Sequence, residues 1–177
     1  MVDRREFLRW SLAGGASLAG GASWARSASP AERRLALYNT HTGERLTATY
    51  WADGIYQAGE LAAIDRLLRD HRSGEVQAVD RRLFDLLHAL QQRTGARGAY
   101  EVISGYRSPA TNVALRRAGN GVARDSLHVH GRAIDVRLTG LALADLHRAA
   151  LGLRAGGVGY YPASGFIHLD TGRVRAW

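Results

Sequence analysis

Two short stretches of the sequence concentrate side chains that can bind a metal ion. The segment SLHVHGRAID contains His128, His130 and Asp135, and the segment FIHLD contains His168 and Asp170. The chain has no cysteine, so a metal site here has to use imidazole and carboxylate ligands. Two histidines and one aspartate with an open fourth position are typical of a catalytic zinc site.

The spacing within these stretches allows the side chains to meet at one ion. Gly131 lets the backbone turn between His128 and the strand that bears Asp135, so residues seven apart can converge. His168 would reach the same ion from a neighbouring strand. The remaining histidines are isolated in sequence, and we expect them to have structural roles: His41, His71, His88 and His147.

The first half of the chain predicts a hairpin followed by two helices. Apolar and polar residues alternate between Arg33 and Trp51 on either side of a short turn, His41-Thr42-Gly43, which is typical of a β-hairpin. Apolar residues then recur twice at helical spacing. The two sets are Leu61, Ile64, Leu67 and Leu68, and Leu83, Leu86, Leu87 and Leu90, with Gly74 between the helices and Gly95 after the second.

The second half predicts the strands and turns that would position the metal ligands. The expected elements are a strand Tyr100 to Ser104, a helix from Pro109 to about Arg117, a strand Ala133 to Leu138, a helix Ala142 to Leu153, and two final strands joined around Pro162 to Gly165. Together these elements indicate a single α+β domain. We expect an antiparallel sheet that carries the zinc site, with helices packed on one side.

Residues 1–25 have the features of an export signal of the twin-arginine type. Arg4 and Arg5 are followed by Phe7 and Leu8 and then by a mildly apolar stretch rich in small residues. That stretch is too short and too rich in glycine for a stable membrane span; a retained amphipathic anchor is the alternative. Cleavage near Ala25, or a few residues later, would release a domain of residues 26–177 into the periplasm.

The charge of the chain favours an acidic partner. Among its 177 residues are 24 basic ones, all arginine, and the net charge is +8. Removal of residues 1–25 takes away three arginines and two acidic residues and leaves +7. Nucleic acid, anionic lipid and an anionic cell-wall polymer all fit this charge. We expect no nucleic-acid partner, because the arginines are scattered, no recognition motif is present, and the chain carries an export signal. The sequence leaves the oligomeric state open.

Three blocks of the sequence resemble a known peptidase family. The segment from Ser126 to Asp135 matches the S-x-H-x-x-G-x-A-x-D signature of the D-alanyl-D-alanine peptidase superfamily, which includes zinc peptidases and the Hedgehog signalling domain. The segments SGYRSPATN and GGVGYYPASGFIHLDTG are similar to its bacterial branch typified by murein endopeptidase K. The resemblance covers nearly the whole chain.

The resemblance implies a zinc metallopeptidase that hydrolyses peptide cross-links of peptidoglycan. His128, Asp135 and His168 align with the zinc ligands of the family. Arg107 matches the arginine of the S-G-Y-R-S block, which in relatives stabilises an oxyanion or holds a carboxylate; anchoring of the following helix is its alternative role. A zinc-containing module that binds peptidoglycan without cleaving it is the alternative function. The Hedgehog domain of the same superfamily implies that this fold can serve a non-catalytic role.

One position departs from the family pattern and leaves the general base open. The dipeptidase branch carries a glutamate three residues before its last histidine ligand, where this chain has Gly165. Asp170 shares a strand face with His168, so it is the first candidate for the base and equally a candidate for orienting that histidine. His130 is the second candidate and Asp125 the third. We expect Gly165 to serve a turn with positive φ.

Overall fold

The computed structural model describes residues 32–119 and 122–177, and the expected export signal in residues 1–25 lies outside this part. The described residues form eight strands and four helices. The strands are β1 (Arg33–Asn39), β2 (Arg45–Ala52), β3 (Ile55–Tyr56), β4 (Tyr100–Ser104), β5 (Ala133–Leu138), β6 (Gly157–Tyr161), β7 (Phe166–Asp170) and β8 (Arg175–Ala176). The helices are α1 (Ala58–Leu67), α2 (Arg81–Thr94), α3 (Pro109–Arg117) and α4 (Leu143–Leu153).

All strands join one sheet, which confirms the α+β class and corrects one detail of it. The strand order is β3-β2-β1-β4-β5-β7-β6-β8. The sheet is mixed, whereas an antiparallel sheet was expected, because β1 pairs with β4 and β6 with β8 in parallel. The β1–β4 pairing is parallel because the chain crosses over through α1 and α2 before it returns to the sheet. The part that carries the metal ligands is antiparallel, as expected.

The hairpin predicted at the start of the domain is present. β1 and β2 pair antiparallel from Arg33 with Trp51 to Tyr38 with Arg45. The turn closes with hydrogen bonds from the Asn39 N–H to the Glu44 carbonyl and from the Gly43 N–H to the Asn39 carbonyl. β3 and β8 were not predicted, because two residues are too few to show an alternating pattern.

The predicted helices are also present, and three of them bury apolar residues against the sheet. The side chain of Asp80 accepts the Arg82 N–H at the start of α2, and Gly95 ends that helix with a φ of 67°. The buried residues of these helices are Leu61, Ile64 and Leu67 of α1, Leu83, Phe84, Leu86, Leu87 and Leu90 of α2, and Leu146 and Ala150 of α4. They form one core with apolar residues of the strands. No helix in residues 32–119 or 122–177 has the length and apolar character needed to cross a membrane.

Strand alternation separates this core from the polar face of β5 and β7. Ile134 and Val136 of β5 and Leu169 of β7 belong to the core. Asp135 and His168 lie between such residues, so their side chains project from the opposite face. These two residues are paired in register across the two strands. The sheet therefore places the two side chains next to each other and on the face opposite the apolar core.

Candidate metal centre

Three predicted ligands converge on one point of the sheet. Oδ1 of Asp135 lies 3.3 Å from Nε2 of His128 and 2.8 Å from Nδ1 of His168. The two histidine nitrogens are 3.3 Å apart. One carboxylate oxygen and two imidazole nitrogens within reach of one another are the donor set expected of a zinc site with an open coordination position.

A tight turn brings His128 to this point although it does not belong to the sheet. His128 lies in a 3₁₀ turn, Leu127–His130, that ends at Gly131 with a φ of 62°. A Cβ atom at Gly131 would lie 2.6 Å from the carbonyl oxygen of Ala78, so glycine is required for both conformation and space. The predicted role of Gly131 is confirmed by this geometry.

Hydrogen bonds on the far side of each imidazole fix the nitrogen that can bind a metal. Nδ1 of His128 lies 2.7 Å from the carbonyl oxygen of Gly105. Because a carbonyl only accepts, this Nδ1 carries the proton and Nε2 keeps its lone pair. Nε2 of His168 lies 3.2 Å from Oδ2 of Asp170, and Nδ1 of the same ring lies 2.8 Å from Oδ1 of Asp135. His128 is therefore held in the tautomer that a metal site needs, and a proton that His168 Nδ1 shares with Asp135 would leave when a metal binds.

The electrostatics of the cluster keep its carboxylate charged. Burial would raise the pKa of Asp135, but the neighbouring His128 and His168 outweigh burial and hold that pKa well below its usual range. Burial would lower the pKa of His168, and its hydrogen bonds to Asp135 and Asp170 raise it instead. Binding of a metal would displace the proton from His168, as is usual for metal sites.

Asp170 is fully buried and its carboxylate has several donors. It accepts hydrogen bonds from the Gly157 and Gly172 N–H groups at 3.0 and 2.8 Å and pairs with Arg175 at 2.7 Å. Burial would raise the pKa of Asp170, but its contacts with His168, Arg175 and the backbone lower it below the usual range. Asp170 does not line the cavity described below. This arrangement disfavours the predicted role as general base and favours the alternative, orientation of His168.

A cavity of about 390 Å³ lies over the three ligands, and Arg107 is part of its wall. The Arg107 guanidinium makes only two long hydrogen bonds, of 3.5 Å each, to Asn112 Oδ1 and Ser104 Oγ. Its Nε is buried and has no partner among the described residues. Burial lowers the pKa of Arg107, while Asp135 acts in the opposite direction. A partly buried guanidinium with unused donors is suited to bind an anionic group of a ligand.

The loop that carries Arg107 is anchored to the rest of the fold. The Ser108 N–H donates to the buried carboxylate of Asp70 at 2.9 Å. The Ser108 side chain in turn accepts the Thr111 N–H at the start of α3. The Arg107 N–H donates to the His128 carbonyl at 3.2 Å. The predicted arginine and the first metal ligand are therefore joined through their backbones.

His130, the second predicted candidate for the base, is not brought together with the ligands. Its side chain is 53% exposed, and its Nε2 lies 3.0 Å from Oδ1 of Asp125. Asp125 lines the cavity, whereas His130 does not. The two alternatives thus form one exposed pair, in which Asp125 borders the cavity.

Sequence reasoning missed part of the cavity wall. Tyr161, Phe166, Arg175 and Trp177 all line the cavity. Phe166 could have been found, because it stands two residues before His168 and therefore shares its strand face. Arg175 and Trp177 reach the cavity through the unpredicted β8, so no local pattern indicated them.

The departure at Gly165 has a conformational basis. Gly165 ends a short turn with a φ of 71°, which confirms the expectation of a positive φ. A glutamate at this position would have to adopt a backbone conformation that side-chain-bearing residues rarely occupy. The turn between β6 and β7 thus requires a residue that cannot serve as the base.

The chain is similar to known peptidoglycan endopeptidases over nearly its whole length. A family model described as peptidoglycan L,D-endopeptidase MepK, of the M15 peptidases, matches residues 27–177. The peptidoglycan L,D-endopeptidase MepK of Escherichia coli K12 is 42% identical over 177 residues, which cover 99% of this chain and 97% of that protein. A probable peptidoglycan L,D-endopeptidase MepK of Haemophilus influenzae is 41% identical over 180 residues, with the same coverage. The crystal structure of Serratia marcescens L-Ala D-Glu endopeptidase ChiX aligns with 43% of this chain and 62% of its own at 21% identity and a TM-score of 0.35, a similarity too low to support a conclusion.

Proposed function

Since the chain belongs to the peptidoglycan L,D-endopeptidase MepK family of M15 peptidases, we propose that His128, Asp135 and His168 hold one zinc ion for the hydrolysis of peptide cross-links in peptidoglycan. The enzyme class follows from the family, which is one of peptidoglycan hydrolases. The observation that supports the metal assignment is the convergence of one carboxylate oxygen and two imidazole nitrogens beneath a cavity, with a hydrogen-bond acceptor on the opposite edge of each ring.

The donor set fits zinc, and the rest of the chain supports its chemistry. Zinc in such a site polarises a peptide carbonyl and lowers the pKa of water to about 7. The buried Asp135 supplies the negative charge that the site needs. Gly105 and Asp170 keep the ring nitrogens of His128 and His168 directed at the ion by binding the opposite edge of each ring.

Arg107 is proposed to bind the oxygen that becomes negative when the peptide carbonyl is attacked. Its guanidinium borders the same cavity as the ligands and has a buried Nε with no partner in residues 32–119 and 122–177. A preorganised donor of this kind stabilises the tetrahedral intermediate more than the neutral carbonyl. The same fork can hold a carboxylate of the substrate, which peptidoglycan peptides carry.

The proton acceptor is proposed to be the Asp125–His130 pair at the cavity rim. Asp170 is turned away from the cavity and saturated with donors, so it is assigned to the orientation of His168. Asp125 borders the cavity, and its Oδ1 is hydrogen-bonded to His130 Nε2. A carboxylate backed by an imidazole can accept a proton from water and pass it to the leaving amine.

Digestion of defined cross-linked muropeptides followed by mass spectrometry tests the function. The zinc-loaded protein should release the two halves of the dimer, and the His168→Ala protein should release neither. A zinc-loaded, folded protein that leaves every dimer intact would instead support the non-catalytic binding module. The masses of the products also identify the cross-link that is cut.

The substrate and the N-terminal segment together support a periplasmic location. The relatives are named for an activity on peptidoglycan, which lies outside the cytoplasmic membrane. We propose export by the twin-arginine route, supported by Arg4 and Arg5 with Phe7 and Leu8. Replacement of both arginines by lysine should retain the precursor in the cytoplasm, because the receptor distinguishes the two cations. Normal periplasmic accumulation of this variant would contradict the route.

A further inference from the structure

An exposed tryptophan lies beside the proposed metal centre. The ring centroid of Trp177 is 5.3 Å from that of His168, and both side chains line the cavity. Trp177 remains 49% exposed, and Tyr161 on the same wall is 38% exposed. Large aromatic side chains with half of their surface free inside a cavity are suited to contact a ligand.

The fold holds the indole of Trp177 in this place. Gly159 pairs in register with His168, and a Cβ atom at Gly159 would lie 2.8 Å from Cε2 of Trp177. The backbone N–H of Trp177 donates to the Val158 carbonyl at 3.3 Å, and the backbone N–H of Tyr160 donates to the Trp177 carbonyl at 3.0 Å. The indole therefore lies over the part of β6 that a side chain would otherwise cover.

A charged neighbour further restrains the ring. The Arg175 guanidinium lies 4.8 Å from the indole centroid and is held by an ion pair with Asp170 at 2.7 Å. Cation–π contacts of this kind favour one position of the ring. Asp170 thus orients His168 directly and Trp177 through Arg175.

A hydrogen bond connects the indole to the second aromatic residue. Nε1 of Trp177 donates to the Tyr161 hydroxyl at 2.7 Å. The indole thereby uses its only polar group, and it offers carbon atoms alone to the cavity. The hydroxyl oxygen of Tyr161 accepts this bond, and no hydrogen bond among the described residues uses the Tyr161 proton. The Tyr161 ring is fixed by stacking on Phe166 with centroids 4.9 Å apart.

We propose that Trp177 and Tyr161 form a substrate-binding element, an inference that rests on the proposed function. The indole packs against methyl and methylene groups of the peptide next to the scissile bond. The Tyr161 hydroxyl, oriented by the indole N–H, donates a hydrogen bond to a carbonyl or carboxylate oxygen of the same peptide. The pair determines which peptides are held over the metal centre and takes no part in proton transfer.

Steady-state kinetics on one defined muropeptide dimer test this inference. Trp177→Leu removes the aromatic surface and should raise KM about tenfold or more, with kcat changed less than about twofold. Tyr161→Phe and Trp177→Phe should each raise KM by about three- to tenfold. The Trp177→Phe/Tyr161→Phe double variant should raise KM by less than the product of the two single effects, because the indole N–H acts through the hydroxyl. Trp51→Phe, which changes a tryptophan of β2 that does not line the cavity, is the control and should match the wild type.

The outcomes separate this inference from the proposed function. Absence of hydrolysis by the zinc-loaded wild type would contradict the proposed function. In that case the affinity of each variant for a muropeptide monomer, measured by equilibrium dialysis, still tests the inference. Unchanged KM and unchanged monomer binding in both Tyr161→Phe and Trp177→Leu would overturn the inference. A fall in kcat at unchanged KM would overturn it as well. Zinc content is measured for each variant. If Trp177→Leu loses zinc, its KM no longer reports on peptide binding, and the KM values of Trp177→Phe and Tyr161→Phe test the inference instead.

Discussion

Arg107 and Asp170 are both charged side chains beside the metal ligands, and their surroundings give them opposite tasks. Arg107 has two long hydrogen bonds and a buried Nε that finds no partner in the described part of the chain. Asp170 is fully buried and accepts from two backbone N–H groups, one arginine and one histidine. The arginine therefore retains donors for a substrate, whereas the aspartate is fully used within the protein.

Substitution of Arg107 should affect the transition state more than the fold. Arg107→Ala removes a donor to the developing oxyanion, so kcat should fall by about 10²- to 10³-fold while zinc content stays at one equivalent. Steady-state kinetics with metal analysis measure both quantities. Arg148→Ala, which removes an exposed arginine paired with Asp145, is the control and should leave both unchanged. A normal rate in Arg107→Ala, or an unfolded protein, would argue against the assignment.

Two aspartate-to-asparagine changes should separate orientation from proton transfer. Asp170→Asn weakens the support of His168, so zinc affinity should fall by about 10- to 100-fold and activity should return at high zinc. Asp125→Asn should keep zinc affinity but lower kcat by about 10²-fold, because an amide does not accept the proton. Zinc titrations and kinetics at saturating zinc provide the comparison. If Asp170→Asn binds zinc normally and is inactive, Asp170 is the base after all.

Several elements around the metal centre could be predicted closely from the sequence. β4, α3 and β5 have the expected bounds, because each shows a clear local signal in its alternation, its proline or its flanking glycine. β8 could not be predicted, because its two residues are defined by pairing with β6. The cavity wall at Arg175 and Trp177 was missed for the same reason. The parallel β1–β4 pairing was missed because it depends on the path of the chain through α1 and α2.

The turn at Gly131 provides a prediction at the scale of one element. Gly131→Ala places a side chain at a φ of 62° and 2.6 Å from the Ala78 carbonyl oxygen. Stability should fall by about 2–3 kcal/mol and zinc affinity should fall with it, because the 3₁₀ turn carries His128. Chemical denaturation and zinc titration measure the two effects.

Gly74 offers a matched control for this prediction. It has a φ of 77°, and no atom of the described residues lies within 4 Å of an added Cβ atom. Gly74→Ala should therefore cost only the conformational strain, about 1 kcal/mol, and should leave zinc affinity unchanged. If the two variants lost equal amounts of stability and of zinc affinity, the close approach of Gly131 to the Ala78 carbonyl would not support the metal centre.

For the whole molecule, the sequence indicated the three metal ligands but not the separate roles of the carboxylates around them. The motif from Ser126 to Asp135, together with His168, identified the three residues that the sheet and the 3₁₀ turn bring together. The roles of Asp170 and Asp125 depend on burial and on which side of a ring each carboxylate lies. These properties arise from contacts among β5, β6, β7 and the loops around them, so they required the complete fold.

Zinc titration of the metal-free protein tests the central claim most directly. Hydrolysis of a defined muropeptide dimer should be absent after chelation, rise in proportion to added zinc, and level off at one equivalent. The His128→Ala protein should bind zinc weakly and remain inactive through the same range. Full activity in the chelated protein, or one tightly bound zinc in the His128→Ala protein, would contradict the claim that His128, Asp135 and His168 hold the catalytic ion.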